Sequence, residues 1–237
     1  MALPKISTPE FFDKIPSTQQ EIKYRPFLVG EEKTLLIALE GQDNKEISHA
    51  IMRLLKSCIM GDINIDKLST FDIEYLFLKV RGKSVGEVIN ASVGHTSEDS
   101  ECKHKTEIQI NIDDIKVQGD IKDGKVMITE DVGVKMRYPT LGTVMKMKGE
   151  DAESLFDMIL DCIEYIYDKE KIYGESDFTR EELSDWVNNL NQGQFKNVSA
   201  FFEDMPKLKH SIGWKCPKCG EEDTMVVEGL QSFFTLQ

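Results

Sequence analysis

The residues best suited to chemistry are two cysteines in the run Cys216-Pro217-Lys218-Cys219-Gly220. A C-x-x-C spacing followed by glycine lets the chain turn so that both sulfur atoms face one point, as tetrahedral Zn²⁺ requires. One such pair supplies half of a site, and Cys102 and His104 are the plausible donors of the other half. The sequence therefore predicts a structural Zn²⁺ site that is filled by protein ligands and leaves no position open for water. The predicted ligands are Cys102, His104, Cys216 and Cys219.

Other interpretations of these residues stay open at this point. His95 can replace His104 as the fourth ligand, or the cysteines can be unpaired surface residues that hold no metal. A redox-active C-x-x-C usually opens a helix in a thioredoxin-like βαβ pattern, whereas this pair lies between strand-like segments. Cys58 and Cys162 fall in apolar helical patterns, so we expect them to behave as small hydrophobic residues.

Motifs for nucleotide binding and calcium binding are incomplete. Gly82-Lys83-Ser84 has the form of the end of a phosphate-binding loop, but Phe77 stands where the first glycine is required. Asp62-x-Asn64-x-Asp66 has the form of the start of a calcium loop, but Lys67 stands where glycine is due. The chain also lacks H-E-x-x-H and G-x-G-x-x-G. We therefore expect that the protein is not an enzyme.

Composition restricts the classes of partner. The chain has 237 residues, of which 40% are hydrophobic, and its formal net charge is −13. A chain this acidic lacks the basic face that neutralises phosphates, so we expect no binding to nucleic acid or to anionic lipid. No apolar run reaches the ~18 residues of a membrane span, and the first residues lack the apolar core of a signal peptide. With only five cysteines, these features predict a soluble protein of a reducing cytosol.

Acidic residues are concentrated between residues 150 and 185, which contain thirteen acidic and three basic side chains. Four of the acidic residues are spaced to share one face of a helix that is predicted over 151–167. They are Asp157, Asp161, Glu164 and Asp168. This face is either a solvated surface or a docking surface for a basic partner.

Hydrophobic periodicity predicts an α+β fold, with helices flanking a small antiparallel sheet that carries a zinc-ribbon-like knuckle. Apolar residues recur at helical spacing in several segments, whereas others alternate as in strands. Two helices are predicted within about 31–60, the first ending near Gly41, and further helices cover about 69–80, 151–167, 179–190 and 195–203. The predicted strands cover about 107–112, 125–128, 132–137, 208–214 and 224–228.

The domain organisation is predicted from the same patterns. Residues 1–26 contain four prolines, and we expect them to form an extended arm that packs on the protein's own core or on a partner. Residues 27–237 are expected to form a single α+β domain. Its sheet, formed by about 85–138 and 207–228, would be pinned by the zinc ion.

Two longer motifs are distinctive. E-K-x-L-L-x-A covers Glu32–Ala38, and D-x-E-Y-L-F-L-x-x-R covers Asp72–Arg81. Arg25-Pro26-Phe27 precedes them, and Met136-Arg137-Tyr138-Pro139 closes the predicted sheet. This order of motifs, over roughly residues 20–165, resembles the baseplate hub proteins of T4-like contractile-tailed bacteriophages.

The resemblance implies a non-enzymatic hub component or assembly factor that acts through protein–protein contacts. Implied partners are other baseplate hub proteins, the tail-tube initiator or the tape-measure protein. The implied location is the host cytoplasm during assembly, or the tail baseplate of the virion. An alternative function is a zinc-ribbon binding module that acts on transcription machinery. Against it, Glu221-Glu222-Asp223 cancel the charge of Lys215 and Lys218 around the knuckle.

Overall fold

The computed structural model describes residues 6–95, 102–147, 149, 151–203 and 205–229. Across these residues, helices are mixed with small antiparallel sheets, so the predicted α+β class is confirmed. The chain divides into two compact units. Unit 1 contains residues up to 65, 71–118 and those from 207 onward, and unit 2 contains 66–70 and 119–206.

The helices and strands alternate irregularly along the chain. The α-helices are α1 (Val29–Glu40), α2 (Asn44–Cys58), α3 (Thr70–Val85), α4 (Leu141–Lys146), α5 (Ala152–Asp161), α6 (Arg180–Asn188) and α7 (Gln192–Glu203). The strands are β1 (Phe11–Lys14), β2 (Glu21–Tyr24), β3 (Ile59–Met60), β4 (Val88–Val93), β5 (Thr106–Asn111), β6 (Lys116–Gln118), β7 (Lys125–Met127), β8 (Gly133–Met136), β9 (Ile163–Tyr167), β10 (Ile172–Gly174), β11 (Lys207–Lys215) and β12 (Glu222–Glu228). Among the described residues, no helix combines the length and the apolar character that crossing a bilayer requires.

Residues 11–24 form a β-hairpin in place of the extended arm expected over residues 1–26. β1 pairs with β2, and β2 pairs with β3, in an antiparallel sheet. Pro16 lies in the turn of this hairpin, where a residue without an N–H group removes no ladder hydrogen bond. Three side chains of the segment are buried in unit 1, namely Ile15, Ile22 and Tyr24. These three residues pack in the protein's own core, whereas Phe12 remains 73% exposed.

An ion pair joins the end of this hairpin to the first turn of α1. Nη1 and Nη2 of Arg25 lie 2.9 and 2.7 Å from the two carboxylate oxygens of Glu31, a bidentate arrangement. Glu31 also accepts a hydrogen bond from the backbone N–H of Leu28 at 2.7 Å. The Arg25 guanidinium, assisted by this N–H group, lowers the pKa of Glu31 to about 2. Both side chains are largely buried, with 16% and 22% exposed.

The remainder of unit 1 packs α3 against two small sheets. β4 pairs with β5, and β11 lies between β12 and β6. Residues that alternate along β4 turn one face to the core, and the apolar residues of β5, α3, β11 and β12 meet them there. The buried cluster contains Leu78, Ile89, Ala91, Ile110, Ile112, Ile115, Leu208 and Val227.

Unit 2 contains a separate four-stranded antiparallel sheet in the order β10-β9-β8-β7. The predicted strands over 125–128 and 132–137 are present as β7 and β8, but they pair with each other and with β9. The single sheet predicted from 85–138 and 207–228 is therefore divided between the two units. Apolar side chains of α5, α6 and α7 cover the sheet of unit 2, with Ile159, Leu183, Val187, Val198 and Phe201 buried.

The helix predicted over 151–167 is shorter than expected. α5 ends at Asp161, Cys162 caps it, and Ile163–Tyr167 forms β9. The residues of β9 are β-branched or aromatic except for Glu164, and these types fit a half-buried pleated surface better than a helix. The predicted acidic helix face is therefore wrong, because Glu164 lies on a strand and Asp168 follows it.

The Arg25–Glu31 ion pair predicts a specific acid sensitivity. Because the pKa of Glu31 is lower when the chain is folded, the stabilisation is complete above the ordinary carboxyl value of 4.5 and is lost as the pH falls towards 2. Glu31→Gln should reduce the free energy of unfolding at pH 7 by on the order of 2 kcal/mol and remove this part of the acid dependence. Urea unfolding at pH 7 and pH 3 measures both. Glu32→Gln, next to it on α1, is the matched control, and equal effects of the two substitutions would contradict the assignment.

Glycine is required at position 124, just before β7, by the backbone conformation and by the surroundings. Its φ is +78°, and a Cβ atom there would overlap the carbonyl oxygen of Met136. Gly124→Ala should therefore destabilise unit 2 by about 2–4 kcal/mol, combining left-handed strain with steric overlap. Thermal unfolding followed by circular dichroism tests this. Gly142→Ala is the control, because a Cβ at Gly142 meets only ordinary van der Waals contacts.

Candidate metal centre

Cys216 and Cys219 lie in the turn that joins β11 to β12. The strands pair as far as Lys215 and Glu222, and the six residues between them form the connecting turn. The backbone N–H of Gly220 donates to the Cys216 carbonyl at 2.9 Å, and the N–H of Cys216 donates to the Glu221 carbonyl at 2.8 Å. Gly220 has φ +77°, a left-handed conformation that glycine adopts without cost. This turn brings the two cysteines of the C-x-x-C motif to one side of the hairpin end.

The other half of the site comes from the end of the β4–β5 hairpin. β4 and β5 are paired up to Val93 and Thr106, so the chain just beyond each residue reaches the same end of the sheet. His95 follows β4, and Cys102 precedes β5. A small buried cluster holds the two hairpin ends together, and it consists of Val93, Trp214 and Cys216.

Four potential ligand atoms converge between these hairpin ends. One atom from each of His95, Cys102, Cys216 and Cys219 lies within 4.8 Å of all the others. The Sγ atoms of Cys102 and Cys216 are 3.8 Å apart, and the Sγ of Cys219 is 3.3 Å from Nε2 of His95. Tetrahedral zinc places neighbouring sulfur ligands about 3.8 Å apart and sulfur–nitrogen pairs about 3.5 Å apart. The residues therefore fit a tetrahedral metal of the zinc type in number, chemistry and spacing.

The ring of His95 is fixed in this position by packing. Its side chain is only 2% exposed, and its centroid lies 5.1 Å from that of Trp214. Nδ1 is buried and makes no aligned hydrogen bond, although Oε2 of Glu221 lies 3.3 Å away. Metal-bound histidines generally donate their second ring nitrogen to a carboxylate. Glu221 is therefore placed to orient the ring with a small adjustment, and sequence reasoning missed this role.

The pKa values of the two C-x-x-C cysteines shift in opposite directions. Burial works against ionisation of Cys216, but hydrogen bonds from the backbone of Cys219 and from His95 prevail and lower its pKa to about 6. At Cys219 the backbone N–H of Glu221 favours the thiolate, but burial and the neighbouring sulfurs outweigh it and raise the pKa. A metal ion binds thiolates, so the low pKa of Cys216 suits a ligand.

The two cysteines outside the cluster behave as predicted. Cys58 and Cys162 are completely buried. Burial raises the pKa of Cys58 to about 11 and that of Cys162 to about 12. Both thiols therefore stay protonated and serve as core residues.

The structure brings together three of the four predicted ligands and replaces the fourth. His104 is not part of the cluster, and His95, the alternative, takes its place. Residues 102–105 make no turn or bend as they lead into β5. The fourth position is instead filled from the other strand of the hairpin, because His95 follows β4 and its Nε2 lies 3.3 Å from the Sγ of Cys219. The sequence signal for His95 was the alternation of Ile89, Ala91 and Val93 with polar residues. This alternation predicts a strand that ends just before His95.

A serine motif in unit 1 has no catalytic geometry. Gly82-Lys83-Ser84-Val85-Gly86 matches the G-x-S-x-G spacing of a nucleophile elbow, but it lies in and just after α3 rather than in a strand-to-helix turn. The hydroxyl of Ser84 donates to the Val80 carbonyl at 2.6 Å and accepts from the N–H of Phe27 at 2.9 Å. Ser84 therefore links α3 to the segment before α1.

Comparisons with known proteins place the chain among phage baseplate proteins. Residues 8–235 match the family described as T4 bacteriophage base plate protein. The chain is also 26% identical over 215 residues to the baseplate hub assembly protein gp26 of Enterobacteria phage T4, covering 91% of this chain and 93% of that protein. No solved structure matches the chain significantly. Both matches favour the baseplate hypothesis over the transcription-module alternative.

Proposed function

Because the chain belongs to the family of T4 bacteriophage base plate proteins, we propose that it acts in building the central hub of a contractile tail baseplate. The observation that carries this proposal is the alignment with the T4 hub assembly protein, which spans nearly the whole of both chains. It therefore includes both structural units. The proposed action is through protein–protein contacts, without catalysis, in the cytoplasm of the infected host. The proposed partners are other hub proteins, the tail-tube initiator or the tape-measure protein.

We propose further that His95, Cys102, Cys216 and Cys219 hold one structural Zn²⁺. Their spacing, the low pKa of Cys216 and the buried second nitrogen of His95 support zinc. All four positions would be protein ligands, so the ion would supply folding energy rather than catalysis. A redox role for Cys216 and Cys219 has less support, because the pair lies in a hairpin turn and not at a helix start.

The assembly role is tested by genetic complementation. Cells infected by the phage with a stop codon in this gene should accumulate tail precursors without complete baseplates, and plasmid-borne wild-type protein should restore plaques. Electron microscopy of the lysates identifies the step that fails. Mass spectrometry of purified virions then distinguishes a hub subunit, which is retained, from an assembly factor, which is absent. Normal baseplates in the absence of the protein would contradict the proposal.

The metal site is tested by elemental analysis of the purified full chain. About one zinc per chain is expected, and Cys216→Ser should remove it and reduce stability by several kcal/mol, since structural zinc contributes roughly 10 kcal/mol in small domains. His95→Gln should also lose zinc, whereas His104→Gln is the matched control and should keep it. Zinc loss with His104→Gln but not His95→Gln would reverse the ligand assignment.

The supporting role of Glu221 has its own test. Glu221→Gln removes the charge beside Nδ1 of His95 but touches none of the four ligand atoms. Zinc affinity, measured by competition with a chromogenic chelator, should fall about 10-fold. Glu222→Gln, at the adjacent position, should leave it unchanged. An unchanged affinity in Glu221→Gln would mean that the carboxylate does not orient the ring.

A further inference from the structure

Unit 2 contains a cavity of about 350 Å³ that is lined by aromatic, aliphatic and acidic side chains. We call it the aromatic pocket. It lies beside β9, β10 and α6, and its walls include Tyr167, Tyr173, Phe178 and Trp186. Trp186 and Phe178 also pack against the core of the unit, so the base of the pocket is anchored. Rings fixed in this way present flat faces that bind both apolar groups and cations.

Three carboxylates lie at the aromatic pocket, and the backbone holds each of them in place. Asp177 accepts from the N–H of Gly174 at 2.9 Å, and Glu182 accepts from that of Thr179 at 2.7 Å. Asp168 accepts from two successive N–H groups, both at 2.8 Å. These backbone hydrogen bonds lower the pKa values of Asp168 and Asp177, so both stay ionised at neutral pH.

The chain's own Lys171 shows what chemistry this surface accepts. Its Nζ lies 4.7 Å from the ring centroid of Tyr173 and 3.5 Å from Oδ1 of Asp177. The lysine side chain remains 55% exposed and is not among the residues that line the cavity. An aromatic face and a carboxylate thus already bind one cation, and two further carboxylates remain beside the cavity.

The other acidic surface of unit 2 lacks aromatic walls. Asp157 and Asp161 of α5 bind Arg180, and Lys146 lies 3.3 Å from Asp161, while Asp151 and Glu153 add two further carboxylates. Both surfaces carry excess negative charge, but of the two only the aromatic pocket combines it with aromatic rings.

We propose that the aromatic pocket binds a segment of a partner protein in which an arginine or lysine stands next to an apolar residue. The apolar residue would enter between the rings, and the cation would bind the carboxylates at the rim. The local excess of negative charge over residues 150–185 would attract such a segment from a distance. This inference rests on the proposed assembly role only in taking the ligand to be a protein.

The test uses an array of synthetic ten-residue peptides of random sequence, probed with the full-length protein. Bound peptides should be enriched in arginine or lysine beside leucine, isoleucine, phenylalanine or methionine. The tightest binder is then resynthesised with citrulline in place of arginine, or acetyl-lysine in place of lysine. This change removes the charge but keeps the shape, and it should weaken binding at least 10-fold in fluorescence anisotropy.

Paired variants show whether this binding occurs at the aromatic pocket. Asp177→Asn with Glu182→Gln keeps an oxygen acceptor for each backbone N–H and should weaken binding at least 10-fold. Glu164→Gln with Glu181→Gln makes the same change in net charge away from the pocket and should weaken it less than twofold. Both pairs should melt within a few degrees of the wild type.

Three outcomes would overturn the proposal. They are the selection of no peptides, the selection of peptides without basic residues, and binding that is equally affected by the two pairs of substitutions. These results leave the complementation experiment untouched, so failure of the pocket and failure of the assembly role are distinguishable.

Discussion

The meeting of two hairpin ends in unit 1 is the constraint on which the rest of this structure depends. Cys102 and Cys216 are 114 positions apart, yet their sulfur atoms are 3.8 Å from each other. A small buried cluster around Val93 and Trp214 packs these ends together, and the larger core of unit 1 joins the same strands further along. A shared metal ion would add to this packing at the hairpin ends, where the buried cluster is small.

The pairing of β6 with β11 explains how the chain accommodates unit 2. The main part of unit 2 lies between β6 and β11, which are hydrogen-bonded neighbours, with Lys207 opposite Gln118. The chain therefore leaves unit 1 and returns to it at adjacent positions in the same sheet. Insertions are tolerated where the two ends of the inserted segment are close, because the parent sheet needs no rearrangement. In chain order, β11 and β12 follow the main part of unit 2 and complete the sheet of unit 1.

The two units differ in the chemistry that they offer. In unit 1, soft ligands are gathered around a buried histidine, and the proposed metal ion would make this end of the unit rigid. In unit 2, aromatic rings and carboxylates lie together at an accessible cavity, which is the site of the proposed recognition. A protein that guides the assembly of other proteins needs both properties, because a binding surface is specific only when its supporting structure keeps it in one shape.

The sequence by itself determined the features that depend on local spacing. These include the apolar stripe of α2, the capping box at Thr179 and Glu182, and the turn that pairs Cys216 with Cys219. The tertiary structure alone decided the features that depend on strand pairing. The register of β4 with β5 selects His95 over His104, and pairing with β8 makes Ile163–Tyr167 a strand. The physical reason is that helix caps and tight turns are set by neighbours a few residues away. A sheet takes its hydrogen bonds from distant segments, and one sequence does not state which segments will meet.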